Sequence, residues 1–354
     1  MAPGFRQRGY HFVSHNYRLA PQARVDDQLS DCLEALSWCR VNLPTILGVG
    51  KVDVDRYVLC GESAGGHLAT LMGVHLSKTP PRAIVDVYGA VDLVAMPAFA
   101  APEKRPSREA AGPWNGRFSE EVLNRLLRDR NLNNVLTDGL PWNEFEVFSD
   151  TELSKLWATD FRYTDRVLMQ AELQMMHSLA SSADGLRVGI MHSEKFANEE
   201  ELVAFVHSMS PLRVLRDRAG QGKKGRELYP PTAFLHGTGD VVVPVEQSYA
   251  MAEVLRTAEV PLVECYEKDE PHVFDLKYKV TRLSSFCAVG VVLTRRHRTQ
   301  RLQAGTPTSG QFSSSSTSML DKASTEGTQT LVQRAHNRVG REMGREMDRA
   351  TCSL

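Results

Sequence analysis

Apolar positions along the chain follow two alternating rhythms. Tyr10 to His15 and Arg56 to Cys60 are short runs rich in β-branched and aromatic residues, the composition of a buried strand. Thr232 to His236 and Pro261 to Tyr266 repeat the pattern, and another strand ends in Tyr88-Gly89-Ala90-Val91-Asp92. Between them the period becomes helical, over Val25 to Val41 and again from Ala64 onward. Strands alternating with helices predict an α/β fold with a mostly parallel sheet flanked by helices. Asp92 and Thr232 are separated by roughly 140 residues, more than one crossover helix needs. Helical patterns recur there at Phe118 to Arg128, Thr151 to Trp157, Tyr163 to Leu179 and Glu199 to Met209, the last stopped by Ser210-Pro211. They predict a helical insertion over about 93–228.

The junction of one strand with the next helix carries chemistry. Gly61-Glu62-Ser63-Ala64-Gly65 is a G-x-S-x-G at a strand-to-helix turn. Such a turn is too tight for side chains at the flanking positions, so glycines stand there and the serine is lifted clear of the sheet. The N–H groups that open the helix then face any oxyanion formed at Ser63, with Ala64 the first of them. Read without that chemistry, the segment is a glycine-rich turn with an incidental serine. A serine needs a base to take its proton and a carboxylate to hold the base. Two downstream segments offer them, each just past a strand. His236-Gly237-Thr238-Gly239-Asp240 presents Asp240 on a glycine-rich turn, and Pro271-His272-Val273-Phe274 presents His272. Taken singly, Asp240 is also good turn chemistry and His272 an ordinary loop histidine; it is their joint placement behind Ser63 that points to a triad. Asp92 is a weaker rival for the acid. His236 reads as a packing or supporting group near Asp240, and His67 as structural.

Asn16-Tyr17-Arg18-Leu19-Ala20-Pro21, Gly61-Glu62-Ser63-Ala64-Gly65-Gly66, the Asp240 turn and His272-Val273-Phe274 together resemble the hormone-sensitive-lipase-like (fold-3) branch of the α/β hydrolases, over about residues 9–276. Asn16 departs from that branch, which usually has Asp there. The resemblance implies an α/β-hydrolase fold in residues 1–280, with the insertion serving as a cap over Ser63. It implies a triad of Ser63, Asp240 and His272, and carboxylic esters with small or medium acyl chains as substrates. No cofactor and no metal are implied. Trp114, Trp142 and Trp157, with Phe145 and Phe148, become candidates for lining an acyl pocket; packing of the cap onto the core is the alternative for each.

The same comparison marks an expected gap. The family's His-Gly-Gly-Gly segment, which supplies most of the oxyanion donors, is not found before Tyr10, nor are the strands that precede it. The reading that follows is an amino-terminally truncated hydrolase whose sheet exposes apolar edge. At the other end, residues 281–354 hold 11 Lys and Arg against 5 Asp and Glu in a chain of net charge −1. This segment is rich in Ser, Thr and Gly, so a disordered, low-complexity basic tail is expected. Its apolar run from Leu283 to Leu293 is too short to span a bilayer. With so little apolar periodicity, the tail is expected to be dispensable for folding.

Composition narrows the rest. With 354 residues, 42 % of them apolar, a substantial core is available. Near-neutral charge predicts no nucleic-acid partner for the body, the short apolar run predicts no stable membrane insertion, and the resemblance implies a small-molecule ester as the partner. The six cysteines, Cys32, Cys39, Cys60, Cys265, Cys287 and Cys352, form no ligand spacing and no disulfide framework. The absence of a charged-then-apolar leader suggests the cytoplasm. Two other functions stay open, and so does an inactive truncated relative. A prolyl-oligopeptidase-like serine peptidase shares the elbow but usually has Tyr where Ala64 stands. A non-catalytic small-molecule receptor on the same fold loses the histidine that this chain keeps at position 272.

Overall fold

The computed structural model describes residues 5–6, 9–105, 124–125, 127–137, 184–277 and 289–294. Six strands form one sheet among them: β1 (His11–His15), β2 (Asp53–Glu62), β3 (Ala83–Val87), β4 (Thr232–Gly237), β5 (Leu262–Glu267) and β6 (Val289–Thr294). Their order across the sheet is β1-β6-β2-β3-β4-β5. From β2 to β5 every pairing is parallel, with Cys60 beside Val85, Val85 beside Ala233 and Ala233 beside Val263. All six residues of β4 are buried, as expected of a strand covered on both faces.

Helices supply that cover. In α1 (Val25–Leu47) the residues Val25, Leu29, Cys32, Leu36, Cys39 and Leu43 are buried; steps of three and four place them on one stripe. The Arg24 backbone N–H donates to Asp27 at the start of this helix, 3.0 Å away, a capping-box contact. Its predicted end at Val41 falls short, because the helix continues through Pro44 to Leu47. Helix α2 (Ala64–His75) is buried from Gly65 to Val74 and packs on β2 and β3. In the predicted insertion, Glu199–Ser208 is helix α3 and Pro211–Gly220 is α4. The Asn198 side chain accepts from the Glu201 N–H and so caps α3. Helix α5 (Glu246–Thr257) packs on β5. The helices expected at 151–157 and 163–179, most of that at 118–128, and Trp114, Trp142, Phe145, Phe148 and Trp157 lie outside the described residues.

The sheet corrects two expectations. Strand β6 lies beyond residue 280, where the hydrolase domain was expected to end, and inside the segment read as tail. It runs antiparallel between β1 and β2, pairing Val291 with Val13 on one side and Leu59 on the other. Val291, Val292 and Leu293 are all at most 1 % exposed, so consecutive residues are buried on both faces. The physical reason is that a short apolar run reads alike whether stranded or isolated; periodicity does not say which partner it will meet. The second correction concerns β1. Among the described residues its only sheet neighbour is β6, so the segment judged dispensable is what joins β1 to the rest of the sheet.

Candidate active site

Ser63 follows directly on β2 and precedes the first residue of α2. Its backbone has φ 51° and ψ −117°, a region costly for any residue with a Cβ and one that clusters at functional positions. The surroundings enforce it. A Cβ on Gly61 would stand 2.1 Å from the Gly65 carbonyl oxygen, and one on Gly66 would stand 2.5 Å from Asp86 Oδ1. The Ser63 N–H donates to the Val87 carbonyl on β3 at 2.9 Å, and its own carbonyl accepts from the His67 N–H at 2.9 Å. Ala64, as the opening residue of α2, puts its N–H at the helix N-terminus beside Ser63.

Asp240 and His272 come from neighbouring loops, after β4 and β5. These loops are locked backbone to backbone. Thr238 N–H donates to Glu267 O at 2.9 Å and Gly239 N–H to Glu270 O at 2.9 Å. A Cβ on Gly237 would meet Glu270 O at 2.2 Å, which explains the glycines before Asp240. Asp240 divides its carboxylate between its own turn and a histidine. Its Oδ1 accepts from the backbone N–H groups of Val242 (2.8 Å) and Val243 (2.9 Å), turning the chain. Its Oδ2 lies 2.6 Å from His272 Nδ1. His272 Nε2 lies 2.9 Å from Ser63 Oγ, so one hydrogen-bonded chain links the three side chains. Burial works to raise the Asp240 carboxyl, but hydrogen bonds from His236 and His272 outweigh it and hold the group well below the usual carboxylate range. Val273 has φ 56°, a genuine outlier for a β-branched residue, directly after the histidine.

Over residues 6–137 the chain matches a family model described as an alpha/beta hydrolase fold. The chain has an α/β-hydrolase fold. It is also 26 % identical over 278 residues to a non-reducing polyketide synthase of Preussia isomera, covering 77 % of this chain and 11 % of that protein. A second such synthase, from Penicillium roqueforti, is 26 % identical over 285 residues, covering 76 % of this chain and 10 % of the synthase. The chain thus spans about a tenth of these relatives. An esterase of Thermogutta terrifontis, solved with butyrate bound, is 17 % identical, with 72 % of this chain and 58 % of that one covered and a TM-score of 0.33.

Within this fold Asp92 and His67 are committed elsewhere. Arg213 Nε donates to both carboxylate oxygens of Asp92 at 2.9 Å, and Gln247 accepts from the Asp92 backbone N–H; the rival acid is an ion-pair partner. His67 Nδ1 donates to the Ala90 carbonyl at 2.7 Å, and burial pushes its ring down to about 4. It is neutral near pH 7. Glu62, next to the serine, is pushed up to about 7, first by burial and then by the negative charge of Asp275. Among the described residues no group of His, Cys, Asp and Glu could hold a metal ion, and no helix is long and apolar enough to cross a membrane. Three contributors escaped the sequence reading. Tyr88 packs its ring 4.7 Å from that of His272 and donates its hydroxyl to Asp275 Oδ1 at 2.6 Å. Ser248, on α5, bonds His236 at 2.8 Å. No local pattern marks Tyr88, Asp275 or Ser248, since each acts through a contact distant in sequence.

Proposed function

We propose that this chain is a serine hydrolase that cleaves carboxylic esters of small or medium acyl chains through an acyl-enzyme. One observation carries the reading: the unbroken hydrogen-bonded series from Ser63 Oγ through His272 to Asp240. His272 Nδ1 faces a carboxylate held ionised, so Nδ1 carries the proton and Nε2 is free to accept one from Ser63. Ser63 Oγ attacks the carbonyl carbon as its proton passes to Nε2. The imidazolium formed is stabilised by Asp240, and the tetrahedral oxyanion by the Ala64 N–H. The alcohol then leaves with the proton from Nε2. Water attacks the acyl carbon and gives its proton to the same nitrogen; that proton passes to Ser63 Oγ as the acid departs, restoring the serine. Trp114, Trp142 and Trp157 are the proposed acyl-pocket residues.

A second acyl donor, a thioester, is favoured by the match of 77 % of the chain to polyketide synthases. Its chemistry at Ser63 is the same, with a thiol leaving instead of an alcohol. Pre-steady-state mixing with p-nitrophenyl esters and with acyl thioesters of equal chain length decides between them. A burst of one product per active site is expected from the preferred class, and Ser63→Ala should abolish it. A Ser63→Ala protein that still gives a full burst would overturn the nucleophile.

A further inference from the structure

His236 also touches the carboxylate that orients His272. Its Nε2 lies 3.1 Å from Asp240 Oδ2 and 2.9 Å from the Val243 carbonyl oxygen, and its Nδ1 lies 2.8 Å from Ser248 Oγ. The side chains of His236 and Asp240 are both 0 % exposed. Nε2 faces only acceptors, a carboxylate and a carbonyl, so it must carry a proton. In the tautomer with its proton on Nε2, the ring accepts from the Ser248 hydroxyl at Nδ1. Asp240 Oδ2 therefore takes two imidazole N–H donors, one from each side, while Oδ1 takes two backbone N–H groups.

We propose that His236 is a positioning residue for the triad: held by Ser248, it shares Asp240 Oδ2 with His272 and so fixes both the direction and the charge of the carboxylate. The proposal rests on the reading of His272 as the general base. The series becomes Ser63, His272, Asp240, His236, Ser248, with the carboxylate at its centre. Two consequences follow from elementary electrostatics. A second donor on Oδ2 draws off part of the negative charge seen by His272, because a buried carboxylate has no water to do so. It also removes the freedom of Oδ2 to rotate away, since all four donors must be satisfied together. Losing His236 alone would leave a more negative and less directed oxygen opposite His272. The other titratable groups facing the pair are Tyr88, whose ring lies 6.5 Å from that of His236, Asp86 on β3, and Glu62 and Asp275 beyond Tyr88.

Three variants test this in the full-length protein, each first checked for native circular dichroism and melting. His236→Leu removes all three ring contacts, to Asp240, Val243 and Ser248. His236→Gln keeps an N–H donor at the position of Nε2. Ser248→Ala keeps the ring and removes its outer anchor. With a p-nitrophenyl ester, His236→Leu should lower kcat by about three- to tenfold with KM little changed, a fraction of the roughly ten-thousandfold cost of a mis-set tautomer. Its acid limb of kcat/KM should move to higher pH. His236→Gln should restore both, and Ser248→Ala should move the limb in the same direction by less. The proton between His272 and Asp240 is followed in parallel by 1H NMR. Its downfield resonance should move further downfield in His236→Leu, where Oδ2 has one imidazole donor instead of two, and return in His236→Gln. A resonance that behaves so in a protein inert to esters and thioesters would uphold the role of His236 while overturning the proposed reaction. A folded His236→Leu with unchanged kcat, acid limb and resonance overturns the proposal. If His236→Leu does not fold, an unmoved acid limb and resonance in Ser248→Ala overturn it, and a shift in both supports it.

Discussion

Gly290 lies opposite Cys60 in the antiparallel register of β6 on β2, and a Cβ added to it would stand 2.7 Å from Cys60 Sγ and 2.7 Å from the Phe12 ring. The glycine is thus what lets β6 fit between its two neighbours, where side chains from both would otherwise meet it. The backbone confirms the closeness, since the Cys60 thiol donates to the Gly290 carbonyl at 3.5 Å.

Gly290→Val should therefore expel β6 or distort it, at a cost of about 1–3 kcal/mol from overpacking, with β1 losing its neighbour. Thermal melting and hydrogen exchange at Phe12 and Val13 read the outcome. Removal of residues 281–354 should do at least as much damage. A truncated protein that melts like the full chain and protects Val13 equally would show that β6 contributes nothing to the sheet.

Asp240→Asn should reduce turnover by roughly ten-thousandfold, because the amide can no longer hold His272 in the tautomer with Nδ1 protonated. Asp92→Asn should leave turnover nearly intact and lower stability through its partnership with Arg213. Comparing kcat and melting temperature for the two variants separates the roles; the opposite ranking would assign the acid to Asp92.

Gly237→Ala tests the fit of the two loops. The new Cβ would press on the Glu270 carbonyl at 2.2 Å, and neither backbone is free to yield, since Thr238 and Gly239 both donate across the gap. The loop carrying His272 should shift away from Asp240. Turnover should fall by about a hundredfold, in line with the sensitivity of catalysis to displacements near 1 Å, with a smaller effect on melting. Equal turnover in the variant would mean that the loops are not the positioning device.

The pH dependence of stability should carry the mark of Glu62. Its carboxyl is raised from 4.5 to about 7 in the folded protein, by burial and by Asp275. A raised carboxyl binds its proton more tightly when folded, so its contribution is fully present below about 4.5 and lost as pH rises through about 7. Asp240 has the opposite sign: lowered from 3.8, it contributes above that value and ceases to as pH falls below it. Melting temperature should decline from about pH 5 to pH 8, and Glu62→Gln should flatten that decline. An unchanged slope in Glu62→Gln would trace the dependence to other groups.

The sequence by itself determined the parts whose causes are local. A strand running into glycines and a serine, followed at once by helical spacing, can turn in few ways, and Ser63 with its positive φ is where that turn was expected. Gly237 and Gly239 before Asp240 signalled a tight turn at a strand end, and the proposed order serine, acid, histidine is the one the family resemblance implied. Only the tertiary structure decided the placement of β6, because an apolar run such as Val291-Val292-Leu293 is attracted equally to any open edge, and the choice is made by shape at Gly290. The same holds for His236. Its sequence neighbourhood shows a histidine at the end of a buried strand, a packing or supporting group near Asp240, without saying which atom it touches. That its ring lies on Asp240 depends on Ser248, contributed by α5, and on a turn that folds Asp240 back over the strand from which it came. Hydrogen bonds of this kind are directional and join segments far apart, so they leave no periodic trace along the chain.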